Sequence, residues 1–325
     1  MEDHLRSGYL AHPQQMYTLR RLTIAEGKAK GADIIEVCTA GGLQLDILPD
    51  SGLDIGQARY RGVNVTFISK NGYDGPTTFL PYENEFMNTF PGGLLCTCGL
   101  RSAGGANRDG DEWHPLHGRY HGLAAEQIGA WVEGDVIIVR GTLRETALFG
   151  HVLELKRTIR IPVFGTEVTV SDELTNLSFR NEEYMLLYHC NFGYPLISEK
   201  ARLELPEKRR TTPRTPFAAT GIGRETTFDA PSPGEEERVF FHEDMERRVS
   251  LTNEFIHTKM TMTWSESLPI LAHWRSMASG DYACGLDPGN SYIMGRKQER
   301  ENGTLPVLKP FETVKTEVSI RFESI

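Results

Sequence analysis

"VIIVRGTL" at 136–143, "VLELKRTIRIP" at 152–162 and "TEVTVSDEL" at 166–174 follow one another with only short breaks between them. In each, apolar and β-branched residues alternate with polar ones, the period of two by which a strand sends successive side chains to opposite faces. Half-buried strands joined by short connections predict antiparallel sheet. The same signature recurs outward in both directions: "IIEVCTA" (34–40), "LQLDILP" (43–49), "VNVTFIS" (63–69), "YMLLYHCNF" (184–192), "KMTMTW" (259–264) and "TVKTEVSIRF" (313–322). Between these lie "PDSG", "YDGP", "PGG", "EGD", "SGD", "DPGN" and "ENG", which supply the Gly, Pro, Asp and Asn that turns require. The chain therefore reads as all-β, a large antiparallel β-sandwich.

Helix is expected only as a turn or two, at 15–28 and 122–129, where caps and sustained periodicity are both lacking. Residues 205–238 are rich in Pro, Thr and charge, but apolar strands continue on both sides, so a surface excursion is expected there rather than a linker. No repeat of propeller or solenoid length is visible. A single domain over 1–325 follows, with 1–32 as an N-terminal extension packed on it.

With 44 acidic against 35 basic residues and a formal charge of -9, the chain is not built for a polyanion such as nucleic acid. The five cysteines lack the density and pairing of a secreted disulfide framework and read as reduced thiols. No apolar run approaches a membrane span, and the N-terminus lacks a secretory pattern, so a cytoplasmic protein is expected. Phosphate-binding glycine loops and a Gly-x-Ser-x-Gly elbow are missing, which leaves nucleotide chemistry and that type of hydrolase unsupported.

Three segments carry residues suited to chemistry. "HPLHGRYHG" (114–122) spaces three histidines as a metal site would, but Pro115, Gly118 and Gly122 break the helix that such a site needs. His117, followed by Gly118 and Arg119 in a loop, is the site candidate, with His114 and His121 as loop or rim residues. "YMLLYHCNFGYPL" (184–196) places His189 and Asn191 on one face of an apolar strand, either as satisfied core groups or as the polar lining of a sugar pocket. "HWRSMASGDYACGLDPGN" (273–290) runs a strand into a turn ending at Asp287, with Trp274 as a flat apolar platform or plain core.

Taken in order, "PDSGLDI", "GGLLCTCGL", "LHGR", "YHCNFGYPL" and "GLDPGN" resemble the aldose 1-epimerase (galactose mutarotase) superfamily, over roughly residues 33 to 322. The likeness is to its branch of mutarotase-like proteins known only as a domain of unknown function. The resemblance implies a β-supersandwich with a sugar cleft. It also implies His117 and His189 near the ring oxygen and C1, with Asp287 in the place of the family's general base. Two positions depart from the pattern: Asp287 replaces a glutamate, and Ser51 stands where the branch tends to carry arginine. Mutarotases also use an arginine near the ring, for which Arg101 and Arg119 are the candidates, and Asn191 and Trp274 complete the expected substrate contacts.

The implied reaction interconverts anomers by opening and reclosing the sugar ring, with Asp287 as base, His189 as acid and His117 at the ring oxygen. No cofactor or metal is expected, and the partner is a small-molecule sugar, with neither nucleic acid nor membrane; a homodimer is compatible with the sequence. Two competing readings use the same residues: a sugar isomerase or epimerase acting on a carbon-bound proton, and a non-catalytic carbohydrate-binding protein.

Overall fold

Leu143, Leu155, Leu174 and Val314 stand side by side on four neighbouring strands, and this apolar row shows how the alternation in sequence becomes a sheet. The computed structural model describes residues 2–76 and 79–325. Strands take up 48% of the chain and helix 9%, so the all-β class holds.

The eight-stranded sheet runs in the order Ala201–Glu204, Arg248–Asn253, Thr258–Trp264, Thr313–Ser324, Glu167–Asn176, Val152–Pro162, Val136–Thr146, Glu126–Glu133. A five-stranded meander, Tyr17–Thr23, Asp33–Thr39, Leu43–Leu48, Asp54–Tyr60 and Val63–Asn64, forms a second sheet. The third sheet, of seven strands, runs Arg210–Pro213, Arg238–Glu243, Ile270–Ser276, Ala283–Gly289, Met185–His189, Cys96–Leu100, and Asn191–Gly193 also pairs with Ala283–Gly289. All three contribute to one apolar core, for example through Val37 and Leu45, Leu155 and Ile159, and Leu286 and Phe192. Together they make one large antiparallel β-sandwich.

A charged group ties the sheets together inside this core. Arg157 shares a face with Leu155 and Ile159, is fully buried, and uses all five of its N–H donors. Its Nη1 donates to Asp54 Oδ1 (2.5 Å) and the Gly52 carbonyl (3.1 Å), its Nη2 to Asp172 Oδ2 (2.7 Å) and Thr97 Oγ1 (2.9 Å), and its Nε to Asp172 Oδ1 (3.0 Å). The Tyr188 hydroxyl donates to the same Asp172 (2.6 Å), so the strand that carries His189 is pinned to the network one residue before it.

Two expected helical turns are strands instead. Residues 17–23 pair with Asp33–Thr39, and residues 126–133 pair with Val136–Thr146. Both are edge strands, half-buried to exposed along their length, so the apolar alternation that marks a strand is weak and the neighbouring strand decides the conformation. Residues 205–238 lie largely at the surface as expected, yet they are folded. They contain the edge strand Arg210–Pro213 and a short helix, Pro216–Ala219, whose N-cap Thr215 accepts from the Ala218 N–H (3.1 Å). Among the described residues no helix is long and apolar enough to cross a membrane.

The interior holds an unusual load of imidazole. Burial pushes His114, His151, His189 and His242 down from the ordinary 6.5 to about 4 and His121 to about 3, and it lowers His117 and His273 as well. Unfolded, these rings take up protons near 6.5; folded, they resist. The unfolded chain therefore binds more protons as pH falls, and the stability present above 6.5 is lost progressively toward 4. Asp54, pushed up to about 6 by burial against the pull of Arg157, and Asp287, pushed well up by burial, work in the opposite direction, but the seven buried imidazoles outnumber them. Thermal unfolding followed at fixed low salt should show a midpoint that drops by several degrees between about pH 8 and pH 6. A flat or rising midpoint over that range would contradict the neutral-imidazole interior.

Candidate functional site

Ala283–Gly289 is an interior strand of the seven-stranded sheet, and all seven of its residues are buried. Alternation turns Cys284 and Leu286 into the core and Gly285 and Asp287 to the opposite face. Asp287 thus sits inside a strand, paired with Ala272, rather than in a turn at a strand's end. The Pro-Gly that follows suggested the turn, but both residues remain in the strand, Pro288 opposite Leu271.

The register places Trp274 opposite Gly285 on the neighbouring strand, and Met185–His189 on the other side delivers His189. Gly285 is small for a reason: a Cβ there would lie 2.9 Å from Asp287 Oδ2. Asp287 is 2% exposed; its Oδ1 accepts the Cys190 N–H (2.9 Å) and lies 3.4 Å from His189 Nδ1. The Trp274 indole stands 5.6 Å from the His189 ring, centroid to centroid, and donates Nε1–H to Glu237 Oε2 (2.8 Å).

His117 arrives from a tight turn. Its φ of 60° is in the left-handed region, which a non-glycine residue enters at some cost, and Gly118 follows at 78°. A Cβ on Gly118 would come within 2.1 Å of the Ser102 carbonyl oxygen, so the turn packs too closely for any other residue. The His117 N–H donates to the Gly104 carbonyl (2.8 Å), and the Gly104 N–H approaches Nδ1 (3.4 Å), an arrangement that assigns the proton of the neutral ring to Nε2. The His117 and His189 rings are 5.6 Å apart, and Phe86 and Phe90 cover them at 4.8 and 5.3 Å respectively.

His117, His189, Asp287 and Trp274 therefore line one cavity of about 510 Å³, within the size range of small-molecule sites. Burial pushes the Asp287 carboxyl well above the usual carboxylate range, with the Cys190 N–H pulling partly back. Burial also drives His189 down to about 4 and His117 well below its ordinary value, with the charges of His189, His121 and Arg214 adding to the latter. Near neutral pH the pocket presents two neutral imidazoles, each donating through one nitrogen and accepting through the other, beside a carboxyl on which burial holds the proton well above the usual carboxylate range.

Three expected substrate contacts lie outside this cavity. Arg101 is 7% exposed and held by Glu182 (2.8 Å) and Glu112 (2.7 Å). Arg119 donates to the Trp113 carbonyl (3.2 Å), and Asn191, wholly buried, spends its amide on the Gly93 (3.1 Å) and His189 (2.9 Å) carbonyls. Arg214 lines the cavity and its charge acts on His117; it is ion-paired to Glu237 and comes from the 205–238 stretch. Sequence reasoning missed both residues: in "RTTPRTP" and "PGEEE" they look like any solvated charge. His114 and His121 are buried rather than on a rim. His114 lies 3.7 Å from Glu112, whereas His121 packs edge-on between Phe79 (4.7 Å) and Phe86 (4.8 Å). Among the described residues no three His, Cys, Asp or Glu side chains converge in a way that could hold a metal ion.

Solved structures place the architecture among the mutarotase-like β-sandwiches. A provisionally named aldose 1-epimerase from Klebsiella pneumoniae subsp. pneumoniae MGH 78578 superposes with a TM-score of 0.87 at 20% identity, covering 94% of this chain and 83% of that one. A galactose mutarotase-like protein from Clostridium acetobutylicum gives 0.66 at 16% identity over 96% of this chain and 100% of its own. Galactose 1-epimerase from Lactobacillus acidophilus NCFM gives 0.63 at 14% identity over 94% and 99%. At such identities the likeness is one of fold. No curated protein matches the chain in sequence. Residues 29–322 match DUF4432, a domain of unknown function, and the chain belongs to that family.

Proposed function

We propose that the protein is an isomerase of the aldose 1-epimerase type, which interconverts the α and β anomers of a sugar. The observation that carries this reading is the meeting of His117, His189 and Asp287 in one cavity with Trp274 beside them. Opening a cyclic hemiacetal requires a proton to leave the C1 hydroxyl and another to reach the ring oxygen as the C1–O5 bond breaks. Asp287, made more basic by burial, accepts the first. A neutral imidazole N–H hydrogen-bonds to the ring oxygen and shares its proton as negative charge builds there, the ring regaining that proton in full on reclosure; His117, whose proton sits on Nε2, and His189 both line the cavity. Rotation about C1–C2 and reclosure reverse the two transfers. The indole face of Trp274 suits the C–H side of a pyranose.

The test is NMR exchange spectroscopy on the purified protein with a panel of aldoses in heavy water. Anomer exchange faster than the spontaneous rate, without deuterium entering at C2, is the expected result. Deuterium uptake at C2 would mean that a carbon-bound proton is removed instead. Line broadening by bound sugar without faster exchange would mean a binding protein.

A further inference from the structure

The end of the eight-stranded sheet where Val136–Thr146 turns into Val152–Pro162 is apolar and bare. At the hairpin tip Leu148 is 87% exposed and Phe149 95% exposed. The turns at the same end of the next two strands add Phe179 (89%) and Phe311 (57%), whose rings meet edge-to-face at 5.3 Å. Single exposed hydrophobes need no explanation, but four large ones gathered at one end of one sheet do.

These are not loose loops. The tip is closed by Ala147 N–H to the His151 carbonyl (3.1 Å) and Gly150 N–H to the Ala147 carbonyl (2.9 Å). The two Phe turns are stapled together by Asn176, which is wholly buried. Its amide donates to the Arg180 (2.8 Å), Leu308 (3.0 Å) and Lys309 (3.1 Å) carbonyls, and its carbonyl accepts from the Ser178 N–H (2.9 Å). The Phe311 N–H closes back on the Asn176 carbonyl (2.8 Å). The aromatic side chains are held out on a rigid base, so little ordering is left to be done when a partner covers them.

We infer that this end of the sandwich is an isologous dimer interface and that its occupant is the same end of a second copy of the chain. At roughly 200 Å² per aromatic side chain, the three phenylalanines offer about 480 Å² at their exposures and Leu148 on the order of 150 Å² more, about 600 Å² per copy or about 1,200 Å² for a two-fold pair. That matches the lower bound, about 1,200 Å², for a specific stable interface. A two-fold contact pairs a patch with itself, and a patch of aromatic and aliphatic side chains is self-complementary without any opposite charge to find. The net charge of -9 opposes association in general, but the rim here carries both signs, Arg180 and Lys309 beside Glu312. Charge farther off is screened beyond about 8 Å at physiological salt.

Sedimentation velocity on the full chain, from low to high micromolar, is the test. The wild-type protein should be dimeric or show a concentration-dependent dimer, and Phe149→Ser with Phe179→Ser should shift it to monomer with unchanged circular dichroism and thermal midpoint near the monomer's own. A control pair on another exposed face, Phe255→Ser with Tyr194→Ser, should leave the dimer intact. A wild-type protein that stays monomeric throughout, or a dimer that survives the Phe149 and Phe179 changes, would overturn the inference. None of these outcomes depends on the sugar chemistry.

Discussion

Asp287→Asn should lower the rate of anomer exchange by about 10²–10⁴-fold while leaving the protein folded. The fold is spared because the Asn carbonyl oxygen can still accept the Cys190 N–H and fits beside Gly285 in the same volume. What disappears is basicity: an amide cannot take up the C1 hydroxyl proton. In the wild-type protein the rate should rise with pH as Asp287 ionises, and the inflection should lie well above the usual carboxylate range because burial holds the proton on. His189→Ala should lower the rate as well while that inflection stays above the ordinary carboxylate range, since burial and not the His189 ring holds it there. Unchanged exchange rates in both variants would remove this pocket from the chemistry.

Arg157→Met should destabilise the protein by about 3–5 kcal/mol, the cost of leaving buried carboxylates without their counter-charge. Asp54 and Asp172 would both be stranded, and Thr97 and the Gly52 carbonyl would each lose a donor. Arg157→Lys should recover only part of the loss, because three donors on one nitrogen cannot meet partners spread around a planar fork. Urea unfolding measures both. A Met variant within about 1 kcal/mol of wild type would mean that the network is neutral to stability, as some buried ion pairs are when replaced by apolar side chains. Tyr188 hangs on Asp172 directly before His189, so weaker anomer exchange in the Lys variant, with the fold intact, is also expected.

The sheet was readable where strands are half-buried. Val152–Pro162 announces its own inner and outer faces, and Leu155, Arg157 and Ile159 share a parity that places a cation among core residues. One of its counter-charges, Asp172, stands directly opposite on the next strand, 15 residues on, but the other was not readable, since Asp54 lies 103 residues earlier and only the packing of two sheets brings it near. Edge strands such as Tyr17–Thr23 carried no alternation to read, because neither of their faces is fully covered. In the site, His117, His189, Asp287 and Trp274 stood in segments whose glycines and apolar neighbours set them apart. Arg101, Arg119 and Asn191 had the right chemistry in the right segments, and only their hydrogen bonds show that they are already engaged. Arg214 and Glu237 lacked any local mark, since an exposed charge gains its meaning from what faces it.

The origin of those two residues divides the cavity into parts with different freedom to change. His189, Trp274 and Asp287 are mounted on adjoining strands whose reverse sides are packed into the core, so altering their placement means rebuilding the sheet. Arg214 and Glu237 flank a surface crossing whose exposed positions accept new side chains, although Ala218, Glu225 and Phe228 within it are buried and Arg275 holds its Arg224 and Thr227 carbonyls. On the proposed function, reprogramming which sugar is accepted should therefore begin at the exposed positions of that crossing and at Arg214 and Glu237, with the strand-borne His189, Trp274 and Asp287 left as a fixed chassis.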